Sequence, residues 1–224
     1  MASKQRDSFV KKALWFDGYL EKRTNNRLDD FKANAGKGNY TLFGEWYDGY
    51  YKTKGFNGAA WCHSFVSYIA YAVGIGNNII PYTASCKTGM NWFKQRNRWH
   101  NRAGYKPHIG DIIYFTRDGK KPAHVGIVHS TDASRVYTVE GNTSGADTLV
   151  ENGGGVAKKS YPLTYANILG YGTPDYAEDK DVTADYKAAI QKRVGFSDPN
   201  GVWKVLDKHP YAKDLYQKWA ESYK

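Results

Sequence analysis

The chain has 224 residues, of which 41% are hydrophobic and 16% aromatic, with 19 Tyr and 7 Trp; this apolar content excludes general disorder and fits one medium domain, or one domain with a small appendage. The net charge of +10, with pI near 9.3, points to a polyanionic partner, but no Lys/Arg cluster is interleaved with a nucleic-acid motif, so nucleic acid is not expected. Two cysteines, Cys62 and Cys86, are too few for a disulfide framework and fit a functional thiol better than a staple.

From the N-terminus, Met1 to Asp7 lacks the apolar core of a signal peptide. No run of about 18 apolar residues occurs anywhere, so synthesis in the cytoplasm without membrane insertion is expected. Residues 7–21 carry Phe9, Val10, Ala13, Leu14 and Phe16 at helical spacing, with Asp7 or Ser8 as N-cap. A polar loop over 24–40 follows, then an aromatic segment at Phe43, Trp46, Tyr47, Tyr50 and Tyr51, and a Gly/Asn turn at 55–58. From Trp61 the stripe Trp61, Phe65, Ile69, Ala72 and Val73 predicts a helix that ends at Gly74, and a second short helix is expected over 88–96. Period-two strands are predicted at 111–115, 124–128 and 135–140, with further strands near 154–159 and 167–171.

Helices followed by consecutive antiparallel strands make an α+β fold. After Pro174 the composition shifts, giving expected domains of 1–175 and 176–224. The second holds helical patterns at 183–194, 199–208 and 211–223. Of the charged residues, 9 Lys+Arg and 8 Asp+Glu fall in this tail, so the tail carries +1 and the larger domain +9.

Cys62 begins a strongly patterned helix, where the positive end of the helix dipole and unpaired N–H groups favour thiolate. The same features suit a nucleophile, whereas a free cysteine packed as a small hydrophobe is the other reading. Among six histidines, His63 points about 100° away from Cys62 on the helix. His100, His108 and His209 lie in polar loops or the tail, and His129 at a strand end. His124 alone lies inside an apolar strand. A hairpin centred near Asp132 sets His124 opposite Glu140, and the register two residues on sets Asn142 there instead. Residues 140 and 142 share a face, so either can hold the imidazole. That alignment is hard to explain as packing and points to chemistry.

Taken together, Trp61-Cys62 with Phe65-Val66-Ser67-Tyr68, Gly110-Asp111-Ile112-Ile113-Tyr114-Phe115, His124-Val125-Gly126-Ile127-Val128 and Val139-Glu140-Gly141-Asn142-Thr143-Ser144 resemble a CHAP domain. The resemblance spans about residues 5 to 174. It implies a papain-like fold, in which N-terminal helices pack on an antiparallel sheet, with a small C-terminal helical module. It also implies a cysteine- and histidine-dependent hydrolase of peptidoglycan, an amidase or an endopeptidase. On that basis Cys62 is the nucleophile, His124 the general base and acid, Glu140 the residue orienting His124, and Asn142 a further polar position of the catalytic set.

Trp46, Tyr47, Tyr51 and Trp61 are expected to wall the substrate groove. The resemblance to phage endolysins implies synthesis in the host cytoplasm and release through a holin. The expected partner is Gram-positive peptidoglycan bearing teichoic acids, met by a monomer. No cofactor is expected: the calcium loop of some members is here Tyr51-Lys-Thr-Lys-Gly-Phe-Asn-Gly58, without carboxylates. The tail aromatics Trp203, Tyr211, Tyr216 and Trp219 suit either stacking on wall sugar or a helical cap. An NlpC/P60-type endopeptidase and an inert wall-binding module are the competing readings.

Overall fold

The computed structural model describes residues 3–145 and 148–178, together with 187, 188, 190–192, 201, 203, 204, 207, 215, 216, 218 and 219 of the C-terminal segment. The chain divides into two compact units, Met1–Glu178 and Asp179–Lys224. In the first, four helices precede the sheet: α1 (Lys4–Trp15), α2 (Leu42–Tyr51), α3 (Cys62–Ala72) and α4 (Cys86–Gln95). The strands are β1 (Trp99–Asn101), β2 (Ile112–Thr116), β3 (Pro122–Thr131), β4 (Arg135–Thr143), β5 (Gly155–Pro162) and β6 (Ile168–Gly172). They form one antiparallel sheet in the order β1-β6-β2-β3-β4-β5. The α+β class and the packing of helices on an antiparallel sheet are as expected. None of the described helices is long and apolar enough to cross a membrane.

The first helix is shorter than its apolar spacing predicts and is capped by Ser3, whose side chain accepts from Arg6 N. It stops at Trp15 because the residues after it find partners elsewhere. Gly18 and Glu21 donate to Val156 O and Gly154 O, and Lys22 donates to Tyr40 O. Those tertiary bonds outweigh the local helical preference of 16–21. The aromatic segment, which gives no clear periodic signal in the sequence, is helix α2, capped by Thr41 through Gly44 N at 3.0 Å. The short edge strand β1 was not predicted; three residues are too few to show a period.

Both faces of the sheet are buried. Under the helices lies a core of Phe9, Phe16, Phe43, Trp61, Phe65, Ile69, Ile112, Tyr114, Val125, Ile127 and Val139. On the opposite face Ile113, Phe115, Val128, Val136, Tyr161, Ile168 and Tyr171 form a second core, covered by Tyr105, Leu149, Leu163 and Tyr165 from the loops. Double burial explains why β2 reads Ile-Ile-Tyr-Phe rather than alternating.

In the second unit, Ile190, Trp203 and Tyr216 are buried, and the Trp203 and Tyr216 rings meet edge-on at 5.3 Å. Asp207 accepts from Lys187 Nζ at 2.7 Å and from Tyr216 Oη at 3.0 Å. Buried Trp203 and Tyr216 present no open face for stacking on sugar, while Trp219 is half-buried beside Trp203. Most of the three expected tail helices, and Tyr211, lie outside the described residues.

Trp61 is wholly buried, stacked on Phe43 at 5.3 Å, and its indole N–H donates to the buried Glu21 at 3.1 Å. Trp61→Phe keeps the ring stack but strands the carboxyl of Glu21. It is expected to cost about 1–3 kcal/mol in urea unfolding; an unchanged midpoint would show that this bond contributes nothing.

Candidate active site

Helix α3 begins at Cys62, and its N-cap, Trp61, offers no side-chain hydrogen bond. The other three helices are capped by the side chains of Ser3, Thr41 and Ser85. The helix that starts with the thiol therefore keeps its first-turn N–H groups free of a side-chain cap, with their partial positive charge close to the sulfur.

Two glycines set the spacing between α3 and the strands. At Gly141 an added Cβ would fall 2.6 Å from Phe65 and 2.9 Å from Trp61, so only glycine lets β4 run this close to the start of α3. At Gly126 a Cβ would fall 2.6 Å from Glu140 Cγ, so the missing side chain is the space into which Glu140 leans.

The register of the β3–β4 hairpin selects between the two predicted pairings. Ile127 faces Val139 and Val128 faces Thr138, which is the register two residues on from the one that sets His124 opposite Glu140. The turn sits later than predicted because Asp132 Oδ1 accepts from Ser134 N and Arg135 N, and a bulge follows Val128. Glu140 nevertheless reaches the ring diagonally across Gly126: His124 Nε2 and Glu140 Oε2 are 3.1 Å apart, both side chains fully buried. Thr138 donates to Glu140 Oε1 at 2.5 Å and Tyr161 to Oε2 at 3.3 Å. With three donors the carboxyl cannot swing, and the ring it holds cannot turn. Thr138 lies two residues before Glu140 on the same strand face, a signal the sequence carries but did not single out.

Asn142, which this register sets across from His124, makes no hydrogen bond to the imidazole. It takes φ of 57°, which asparagine tolerates, and the strand pairing shifts between Glu140 and Thr143. Its amide is buried, and both Nδ2 and Oδ1 lack a hydrogen-bond partner among the described residues. The same is true of Ser64 Oγ, two residues beyond the thiol.

With Nε2 bound to Glu140, Nδ1 is the nitrogen left for Cys62. It makes no hydrogen bond of ordinary geometry, so the sulfur contact is the looser of the two. Its electrostatic effect is large all the same. The Cys86 thiol first, and His124 after it, hold the Cys62 thiol well below the usual thiol range in spite of burial. Burial lowers the basicity of His124, but the interactions with Cys62 and with Glu140 outweigh it and push the ring up to about 9. The two shifts run in opposite directions, and both favour a thiolate–imidazolium pair over two neutral groups.

His63, adjacent to the thiol, has both nitrogens committed, to Tyr114 Oη and to Thr83 O at 3.0 Å each, and burial lowers its pKa. It ties α3 to β2 and to the loop before α4. Cys86, which carries no role in the motifs, has its sulfur 3.6 Å from that of Cys62.

Trp61 is core. Trp46, Tyr47 and Tyr51 join Tyr50, Tyr68, Tyr71 and Tyr82 in a cluster between α2 and the later turns of α3. Tyr51 Oη donates to Tyr82 O at 2.7 Å. Tyr50 and Tyr71 remain 46% and 47% exposed, so the cluster has a surface face. At 1.5 Å per residue, Tyr71 lies about 13 Å along α3 from Cys62. Asp48 of α2 braces the loop before the thiol, accepting from Thr53 Oγ1, Gly55 N, Phe56 N and Asn57 N.

Iodoacetamide labelling of Cys62, followed by peptide mapping, is expected to show a pH midpoint below the ordinary thiol value of about 8.5. His124→Ala removes a counter-charge and is expected to slow labelling at neutral pH roughly tenfold. A midpoint of 8.5 or higher in the unmodified protein would rule out the ion pair.

Residues 54–142 match the CHAP domain family. No curated protein matches the chain. Among solved structures, "The crystal structure of Ly7917" aligns with 16% identity and a TM-score of 0.41 over 75% of this chain. A second structure, of Ly7917 "with the hydrolyzing product of MDP", aligns with 14% identity over the same share and also scores 0.41. The chain covers 62% of the length of those two proteins. The stretch that carries Cys62, His124 and Glu140 is the stretch that matches the CHAP domain.

Proposed function

We propose that this protein is a peptidoglycan hydrolase that cuts an amide bond of the bacterial wall by acyl transfer through Cys62. The observation that carries the reading is the buried Cys62–His124–Glu140 arrangement, in which the thiol is made acidic and the imidazole basic. Support for the substrate class comes from the CHAP match over residues 54–142.

In the proposed reaction the Cys62 thiolate attacks the amide carbonyl carbon, and the developing oxyanion is met by the first-turn N–H groups of α3. His124, protonated on Nδ1, delivers that proton to the leaving nitrogen as the C–N bond breaks, which leaves a thioester. The now neutral ring takes a proton from water, whose oxygen attacks the thioester; the acid departs, and the thiolate–imidazolium pair is restored. Glu140 keeps Nε2 occupied, so Nδ1 always faces the reaction, and it stabilises the imidazolium. Asn142 and Ser64, buried and unpaired, are polar groups whose cost of about 1–3 kcal/mol each a polar substrate would relieve.

Within the same proposal the bond cut is either the muramoyl–L-alanine amide or a peptide bond of the stem or cross-bridge. The protein acts as an endolysin released by a holin onto a teichoic-acid-bearing wall, to which the basic larger domain is drawn. The exposed aromatic face around Tyr50 and Tyr71, and the C-terminal segment 176–224, are its candidate wall contacts.

Digestion of purified Gram-positive peptidoglycan, read by mass spectrometry, is the direct test. Wild type is expected to release fragments with new amine and carboxyl ends, and Cys62→Ala is expected to release none while keeping the wild-type unfolding midpoint. Fragments from both proteins, or from neither across several wall chemotypes, would overturn the reading.

Turnover is expected to rise with pH as the thiol ionises and to fall above about 9 as His124 loses the proton that the leaving nitrogen needs. Glu140→Gln, which weakens one cause of the raised basicity, is expected to move the alkaline limb to lower pH. An unshifted limb would remove Glu140 from the assignment.

A further inference from the structure

We propose that Cys62 and Cys86 are a paired redox site, in which peroxide converts the two thiols to a reversible disulfide that masks the nucleophile. The regulatory consequence rests on the function proposed above; the disulfide chemistry rests on geometry alone.

The two sulfurs lie 3.6 Å apart, at contact. Each belongs to the first residue of a helix, Cys62 of α3 and Cys86 of α4, so two helix N-termini converge on one pair of sulfurs. The convergence is held by α3 itself. Ser67 Oγ accepts from Thr83 N at 2.9 Å and donates to Thr83 O at 2.8 Å, and His63 Nδ1 holds the same carbonyl at 3.0 Å. Thr83 is three residues before Cys86, so these bonds moor the start of α4 to the body of α3. Forming a bond of about 2.05 Å needs the sulfurs to close by roughly 1.5 Å, a local adjustment for two residues at helix ends.

The two thiols are also unlike. Cys62 is the acidic member, while its hydrogen bond to Cys62, followed by burial, keeps the Cys86 thiol protonated. Cys62 is buried, and Cys86 is partly exposed. An acidic nucleophile beside a protonated partner is the arrangement of a peroxidatic and a resolving cysteine.

The steps balance. The Cys62 thiolate attacks one oxygen of hydrogen peroxide, the O–O bond breaks, and hydroxide leaves to take the proton from His124, giving Cys62 sulfenic acid and water. The Cys86 sulfur then attacks the sulfenic sulfur, the S–O bond breaks, and the departing hydroxide takes the Cys86 proton. Two thiols and one peroxide become a disulfide and two waters. A dithiol such as dithiothreitol reverses the change by exchange.

The test treats the full chain at neutral pH with a small excess of hydrogen peroxide, then blocks free thiols and maps peptides by mass spectrometry. Wild type is expected to yield a Cys62–Cys86 cross-linked peptide within one chain, and dithiothreitol is expected to restore both thiols. Peptidoglycan digestion by the oxidised protein is expected to drop on the order of tenfold or more and to recover with dithiothreitol. Cys86→Ser is expected to proceed instead to Cys62 sulfinic acid, which dithiothreitol does not rescue. Sulfinic acid at Cys62 of the wild type, with Cys86 still a free thiol, would overturn the proposal. The wild-type peptide map decides the matter without the variant. A disulfide that forms in a protein unable to digest wall would leave the pair standing and count against the hydrolase reading instead.

Discussion

A thiol and an imidazole are buried side by side among neighbours that lower the pKa of the one and raise that of the other, and the rest of this site is arranged around that pair. Burial by itself works against both charges, since it raises thiol pKa values and lowers imidazole ones. The balance is tipped by specific neighbours: the Cys86 thiol and His124 on the sulfur, Cys62 and Glu140 on the ring. Each charge is therefore conditional on the other, and the two groups titrate as a unit rather than as a cysteine and a histidine.

Holding that unit in place is the work of backbone approach and of a second layer of hydrogen bonds. Gly141 lets β4 meet Phe65 and Trp61 at the start of α3, and Gly126 leaves room for Glu140. Thr138 and Tyr161 fix Glu140, and Glu140 fixes His124. On the helix side, Glu21 fixes Trp61, Asp48 braces the loop before it, and His63 and Ser67 moor the segment that leads to Cys86. None of these groups needs to meet a substrate, yet each limits where the sulfur and the ring can be. Preorganisation of this kind lets charges act without reorganising around them. The amide of Asn142 runs the other way: it is buried without a hydrogen-bond partner among the described residues, a cost that the packing around it must carry.

The Cys62–Cys86 contact gives the same geometry a second use. Features that make a sulfur a good nucleophile toward an acyl carbon also make it a good nucleophile toward peroxide. A second thiol at 3.6 Å converts that susceptibility from damage into a recoverable state.

The amino-acid sequence by itself determined the α+β class, the helix beginning at Cys62, the strand bearing His124, and the choice of Glu140 or Asn142 as partner of the ring. Those features are local: they come from period, caps and residue chemistry within a short window. It did not determine which of those two side chains holds the ring, because the hairpin register turned on a bulge after Val128 and on the Asp132-capped turn, and a shift of two residues keeps the same face. Nor did it show where α1 stops, since residues 18–22 are drawn into bonds with Gly154, Val156 and Tyr40 that lie far away in the chain. Trp61 illustrates the same limit, for an aromatic beside a nucleophile looks like a substrate wall until packing buries it on Phe43. Cys86 is the largest such case. It lies 24 residues from Cys62 along the chain, with no periodic or motif signal to join them, and only the mooring of Thr83, just before α4, to His63 and Ser67 of α3 brings the two sulfurs into contact.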